Sequence, residues 1–230
     1  LNVNDAPVGD VSIAAATMSQ LQTLSASHTV TDLDGISAVE YQWYRNDYRI
    51  TGATDSSYTL TQNDVDGIIS VDLKYLDDAG TNEFVASAYT AQVQNINDLP
   101  TGSVIIEGEG VDGAIQALQG ELLSYSHNLV DLDGLGSFSY TWFRDSVAID
   151  GAVLGSYKLA QEDVGTSIAL EVSYTDGYSE LEEVMSASTA TIINTSNAAT
   201  GSITIDGILQ EGQTLTALDD IADEDGLGTF

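Results

Sequence analysis

The chain contains no cysteine. That excludes disulfide staples and thiolate-held zinc, and leaves each fold to its apolar core or to metal bound through oxygen. Basic residues are almost missing as well: five Lys and Arg stand against 36 Asp and Glu, a formal charge of −31. A surface this negative repels nucleic-acid phosphates and anionic membranes, and its natural partner is a cation. No apolar run approaches the roughly 18 residues that cross a bilayer. Sustained helical periodicity is also lacking, with a turn or two of helix expected only over Ile115–Leu123. Such acidity without a core would mean disorder, but 43% of the residues are hydrophobic and the aromatics recur in register, so the charge sits on folded modules.

What the chain does have is a repeat. Asp32-Leu33-Asp34-Gly35 returns as Asp131-Leu132-Asp133-Gly134, a period of 99 residues (131 − 32). At that offset His28/His127, Tyr41/Tyr140, Trp43/Trp142, Arg45/Arg144, Tyr58/Tyr157, Asp64/Asp163, Tyr75/Tyr174 and Asp77/Asp176 coincide. A third copy opens at Thr200-Gly201-Ser202-Ile203 and reaches Asp223-Glu224-Asp225-Gly226. The expected domains are therefore 1–97, 98–196 and the truncated start of a third repeat at 197–230, an excerpt of a longer tandem array.

Within a copy, Tyr41–Tyr44, Ser57–Thr61, Ile68–Tyr75 and Ala88–Val93 are aromatic or β-branched and alternate, which predicts strands. Turn clusters at Asp32–Gly35, Arg45–Asp47, Gly52–Ser56, Asn63–Gly67 and Asp77–Asn82 separate them at about ten-residue spacing, the cadence of an antiparallel sandwich. Trp43 and Trp142 are expected in the core, where an aromatic burying about 150–250 Å² contributes at most roughly 4–6 kcal/mol.

The order of Trp43, then Tyr58 and Leu60, then Asp64, resembles the immunoglobulin-like pattern without its two cysteines. With the Asn-Asp linkers and the Asp-x-Asp-Gly motif, the chain resembles the immunoglobulin-like or cadherin-like tandem repeats of large bacterial surface adhesins and RTX-type secreted proteins. The resemblance implies an all-β fold of tandem antiparallel sandwiches. It also implies a secreted or cell-surface setting and service as non-catalytic spacers, with any glycan or host component gripped by other domains. In such a fold Trp43 lies on strand C, Asp64 opens the turn before strand F, and the N-terminal linker, B–C loop and F–G loop meet at one end.

That topology turns the acidic motifs into candidate calcium sites. A hard dication takes six to eight oxygens at about 2.3–2.6 Å. Module one would supply Asp32, Asp34 and Asp77, with Asn4-Asp5 from the linker and Asp78 and Glu83 nearby. Module two would supply Asp131, Asp133 and Asp176, with Asn97 and Asp98 from the linker Asn95-Ile96-Asn97-Asp98-Leu99-Pro100. The next linker, Asn194–Ala199, lacks the Asp and the Pro, so weaker calcium binding is expected there. The competing reading is a solvated acidic surface that keeps a long array apart. For Asp64, capping of local backbone N–H groups competes with a metal role.

Catalysis finds no support. A carboxylate pair copied into every link suits an array poorly as a glycosidase centre, the third copy carries Asp219 where the others have histidine, and no nucleophile triad or phosphate loop is present. The alternative function is ligand binding, by glycan or protein, on Tyr44, Tyr48, Phe143 and the Arg45/Arg144 pair.

Overall fold

The computed structural model describes residues 3–108 and 117–228, and the chain divides into two compact units, Leu1–Asp98 and Leu99–Phe230. In the first, β1 (Val11–Ala14), β2 (Thr23–His28) and β5 (Ser57–Thr59) form one antiparallel sheet in the order β1-β2-β5. The facing sheet takes β3 (Glu40–Arg45), β4 (Tyr48–Arg49), β6 (Ile69–Leu76) and β7 (Asn82–Ala86) in the order β4-β3-β6-β7. The second unit repeats this with β8 (Val104–Glu107), β9 (Leu122–His127) and β12 (Tyr157–Lys158) against β10 (Ser139–Arg144), β11 (Val147–Ala148), β13 (Ile168–Thr175) and β14 (Leu181–Met185). The fold is an immunoglobulin-like sandwich.

Alternation builds the core. Along β6, Ile69, Val71, Leu73 and Tyr75 are buried on one face, and β13 repeats this with Ile168, Leu170, Val172 and Tyr174. Each set closes on a tryptophan that is fully buried, Trp43 or Trp142. Its indole N–H is not left orphaned: it donates to the Asp55 carbonyl at 2.9 Å and, in the second copy, to the Leu154 carbonyl at 2.8 Å. The two-residue turn Asn46-Asp47 takes positive φ at both positions, as does Asp145-Ser146, which matches the strand twist in a tight hairpin.

Two expected elements differ. Ala88–Val93 is not a strand; the seventh strand is β7, six residues earlier. After β7 the backbone N–H groups of Ser87, Thr90 and Val93 donate to the carbonyls of Val71, Ile69 and Gly67, so every third residue faces β6 rather than every second. The hydroxyls of Ser87 and Thr90 then accept from the N–H groups of Val71 and Ile69 at 3.0 and 2.9 Å, filling ladder positions that a strand carbonyl would take. Ser186 and Thr189 do the same beside β13. The helical turn expected over Ile115–Leu123 lies outside the described residues as far as position 116, and from Ala117 on the chain forms a bridge at Leu118, a turn and the start of β9 instead.

In the third copy β15 (Ile203–Asp206) pairs antiparallel with β16 (Thr216–Asp219), and the side chains of both strands are exposed.

Candidate functional site

The Asp-x-Asp-Gly turn organises itself before it organises anything else. Asp32 Oδ1 accepts the N–H of Asp34 at 2.9 Å, and Asp131 Oδ1 that of Asp133 at 2.8 Å, the local bond that makes aspartate a turn residue. Gly35 closes the turn at φ +95°, under the carboxylate of Asp78, where a Cβ would collide. The second oxygen of each leading Asp receives a core tyrosine hydroxyl at 2.6 Å, Tyr75 to Asp32 and Tyr174 to Asp131.

These tyrosines sit at the crossing point of three acids each. Burial first, then the bond to Asp32, then the charges of Asp32, Glu83 and Asp77, push the Tyr75 phenol well above its usual range. Tyr174 is raised in the same way by burial, Asp131, Glu182 and Asp176. The B–C loop, the F–G loop and the inward face of the last strand thus bring carboxylates to one end of each module.

The F–G carboxylates are less fully satisfied. Asp77 is only 4% exposed; Oδ1 accepts the Thr81 N–H at 2.6 Å, while Oδ2 is buried without a hydrogen-bond partner. Asp176, 7% exposed, accepts from Tyr178 and Glu180 through Oδ1, and its Oδ2 is likewise orphaned. A buried carboxylate oxygen with no donor is costly, on the order of 1–3 kcal/mol or more.

The linker reaches this end through donors. The Asp5 N–H donates to Asp34 Oδ2 at 2.7 Å, and the Asn4 amide to Glu83 Oε1 at 2.7 Å. In the third copy the Asn197 N–H donates to Asp225 Oδ2 at 2.7 Å, and its amide to Glu224 Oε2 at 3.0 Å. The linker that has lost its Asp therefore keeps the same backbone clasp, because the contact is made by the peptide N–H and not by the side chain. Asp98 is engaged at the other end of module one: the buried Gln20 amide donates to Asp98 Oδ2 at 2.6 Å and accepts the Ile96 N–H at 3.3 Å. Asn97, Asp34 and Asp133 also have partners, and Asp133 is buried. Among the described residues no three acids or histidines converge into a ready-made metal shell.

The two shortest ion pairs among the described residues each join an arginine to a buried aspartate. Asp64, fully buried, binds Arg45 Nη1 at 3.0 Å, the Tyr58 hydroxyl at 2.8 Å and the Thr61 N–H at 2.8 Å. Asp163 repeats it with Arg144 Nη2 at 2.7 Å, Tyr157 and the Ala160 N–H. Burial and the neighbouring aspartate push both phenols up to about 12. Asp64 is thus the turn cap, and Arg45 and Arg144 point to buried aspartates rather than to a ligand. The recurring 19-residue separation of Arg and Asp was the available signal. His28 and His127 lie exposed at the ends of β2 and β9.

No protein-family model matches the chain, and no curated relative matches it. Solved structures that resemble it include a Ca2+-stabilized adhesin with which an Antarctic bacterium reaches out and binds ice (15% identity, 91% of this chain, 54% of the other, TM-score 0.32). A tetra-tandem repeat from the extending region of a large adhesion protein aligns at 17% identity over 95% of this chain and 64% of its own, TM-score 0.32. The full ectodomain of mouse nectin-like molecule 4, three immunoglobulin domains, aligns at 13% over 83% and 65%, TM-score 0.33. The chain spans about half to two thirds of each. At this identity and overlap the reading of the site rests on the residues themselves. No helix among the described residues is long and apolar enough to cross a membrane.

Proposed function

We propose that these repeats are non-catalytic extender modules of a large secreted or cell-surface adhesin, and that calcium, bound at the acidic end of each module, stiffens the array. The domains in this reading are 1–97, 98–196 and the opening of a third repeat. The observation that carries the calcium reading is the pair of buried orphan oxygens, Asp77 Oδ2 and Asp176 Oδ2; the charges of two further carboxylates act on the same tyrosine in each module. A dication is the partner a buried carboxylate oxygen lacks when no N–H reaches it.

The residues fit this ion unequally. Asp77 and Asp176 offer oxygens as they stand. Asp32 and Asp131 have both oxygens occupied by turn and tyrosine bonds, so they would hold the metal by exchanging the tyrosine hydroxyl for it. Asp34 and Asp133 complete the set from the same turns, and the sequence pattern adds Asn97 and Asp98. The charge of −31 favours cation uptake throughout.

Calorimetric titration of calcium into the chelator-treated chain tests the reading, with heat expected for at least one site in each module. Asp77→Asn together with Asp176→Asn should reduce that heat strongly while the sandwich remains folded. Absence of heat in the unaltered chain sinks the calcium proposal and leaves the acids as a solvated, self-repelling surface.

A further inference from the structure

The two modules share most of their core, but the outward face of the four-stranded sheet differs. Strand register places Glu40 opposite Lys74 and Lys74 opposite Phe84, so the three form a row across β3, β6 and β7 on the face turned away from the core. The corresponding row in module two is Ser139, Ser173 and Glu183. Phe84 is 65% exposed and Leu76, one step along the face, 44%. They border a cleft of about 420 Å³ that Ser37, Glu40, Lys74 and Asn82 also line, within the size range of small-ligand sites, about 300–1,000 Å³.

Lys74 is turned along the sheet. Its ammonium donates to the Tyr44 hydroxyl at 3.3 Å and lies 3.8 Å from Asp72 Oδ2. Its aliphatic stem is thereby left beside Phe84 as part of the floor. The result is an apolar floor of Phe84, Leu76 and the lysine stem, with a rim of Glu40 carboxylate, Asn82 amide and Ser37.

We propose that this face of module one is a carbohydrate subsite that takes a neutral pyranose ring stacked on Phe84, with its hydroxyls met by Glu40 and Asn82. A neutral sugar is the ligand whose chemistry is divided in the same way: a C–H face that packs on an aromatic ring, and a periphery of hydroxyls that both donate to a carboxylate and accept from an amide. Acidic sugars are disfavoured by the charge of −31. The subsite adjoins the acidic end of module one, since Tyr75 and Glu83 also line the cleft. It would make module one a contact point within an otherwise passive spacer.

The test is a titration of the full chain with methyl glycosides of glucose, galactose, mannose and N-acetylglucosamine, followed by amide chemical shifts. At least one should give saturable shifts confined to β3, β6 and β7, with a Kd on the order of 1–10 mM, as expected for one ring. Phe84→Ala should weaken binding tenfold or more with an unchanged thermal midpoint, Phe84→Trp should retain it, and module two should not respond. No saturable shift with any of the four overturns the proposal. So does binding that Phe84→Ala leaves intact, or a dilution series showing that Phe84 instead pairs two copies of the chain.

Discussion

Modules one and two share nearly every buried decision and few of the exposed ones. The tryptophan with its satisfied indole, the Arg–Asp–Tyr knot before β6 and β13, the tyrosine on the leading Asp and the hydroxyls after the last strand recur at the same offset. Outside, Glu40–Lys74–Phe84 stands against Ser139–Ser173–Glu183. Interior groups are fixed by close packing and by the cost of losing a partner, whereas an outward residue can change at small cost. The likeness inside thus points to what the fold requires, and the difference outside shows where the modules are free to diverge in use.

The comparison breaks most readily at the tryptophans. Trp43→Ala and Trp142→Ala should each cost roughly 3–5 kcal/mol, seen as loss of one denaturation transition while the other module's transition stays in place. Equal loss of both would mean that the modules are not energetically separate. Next come Asp64→Ala and Asp163→Ala. Each strands an arginine that is about a third exposed, so the expected cost in urea unfolding is about 2 kcal/mol. Tyr75→Phe and Tyr174→Phe should cost about 1 kcal/mol each, and if calcium takes the place of the hydroxyl, both should bind calcium no more weakly than the unaltered chain.

Alkaline pH gives a smaller, shared effect. Tyr58 and Tyr157 have folded values raised from 10.0 to about 12. Their contribution is therefore fully present below pH 10 and is lost as pH rises toward 12. Stability measured at pH 9, 10.5 and 11.5 should fall across that window in both modules, and a flat profile would show that the knots do not hold their protons. Ser87→Ala and Ser186→Ala sharpen the comparison at its finest, each removing about 1 kcal/mol by leaving a buried strand N–H unpaired.

Much of the architecture was legible because burial writes a period-two signature: β3, β6 and their counterparts follow the alternation of apolar residues around each Trp. The seventh strand was hidden because its inward positions include an acid, Glu83, with the buried Glu182 in the second copy, so alternation of hydrophobicity fails there. Ala88–Val93 alternates in composition, yet its hydrogen bonds fall every third residue, which a two-residue pattern cannot express. At the acidic end of module one, the approach of linker, B–C turn and F–G turn follows from topology. What the residues alone did not show was how these acids are satisfied: by Tyr75, by the peptide N–H of Asp5 and by Gln20 on Asp98, all partners tens of residues away in the chain.

The central claim, that calcium at acidic ends sets the stiffness of an extender, is tested most directly by small-angle scattering of the full chain in chelator and in excess calcium. The account predicts that calcium raises the maximum dimension and narrows the spread of conformations, and that Asp77→Asn with Asp176→Asn removes the change. Scattering profiles that superimpose with and without calcium would contradict it.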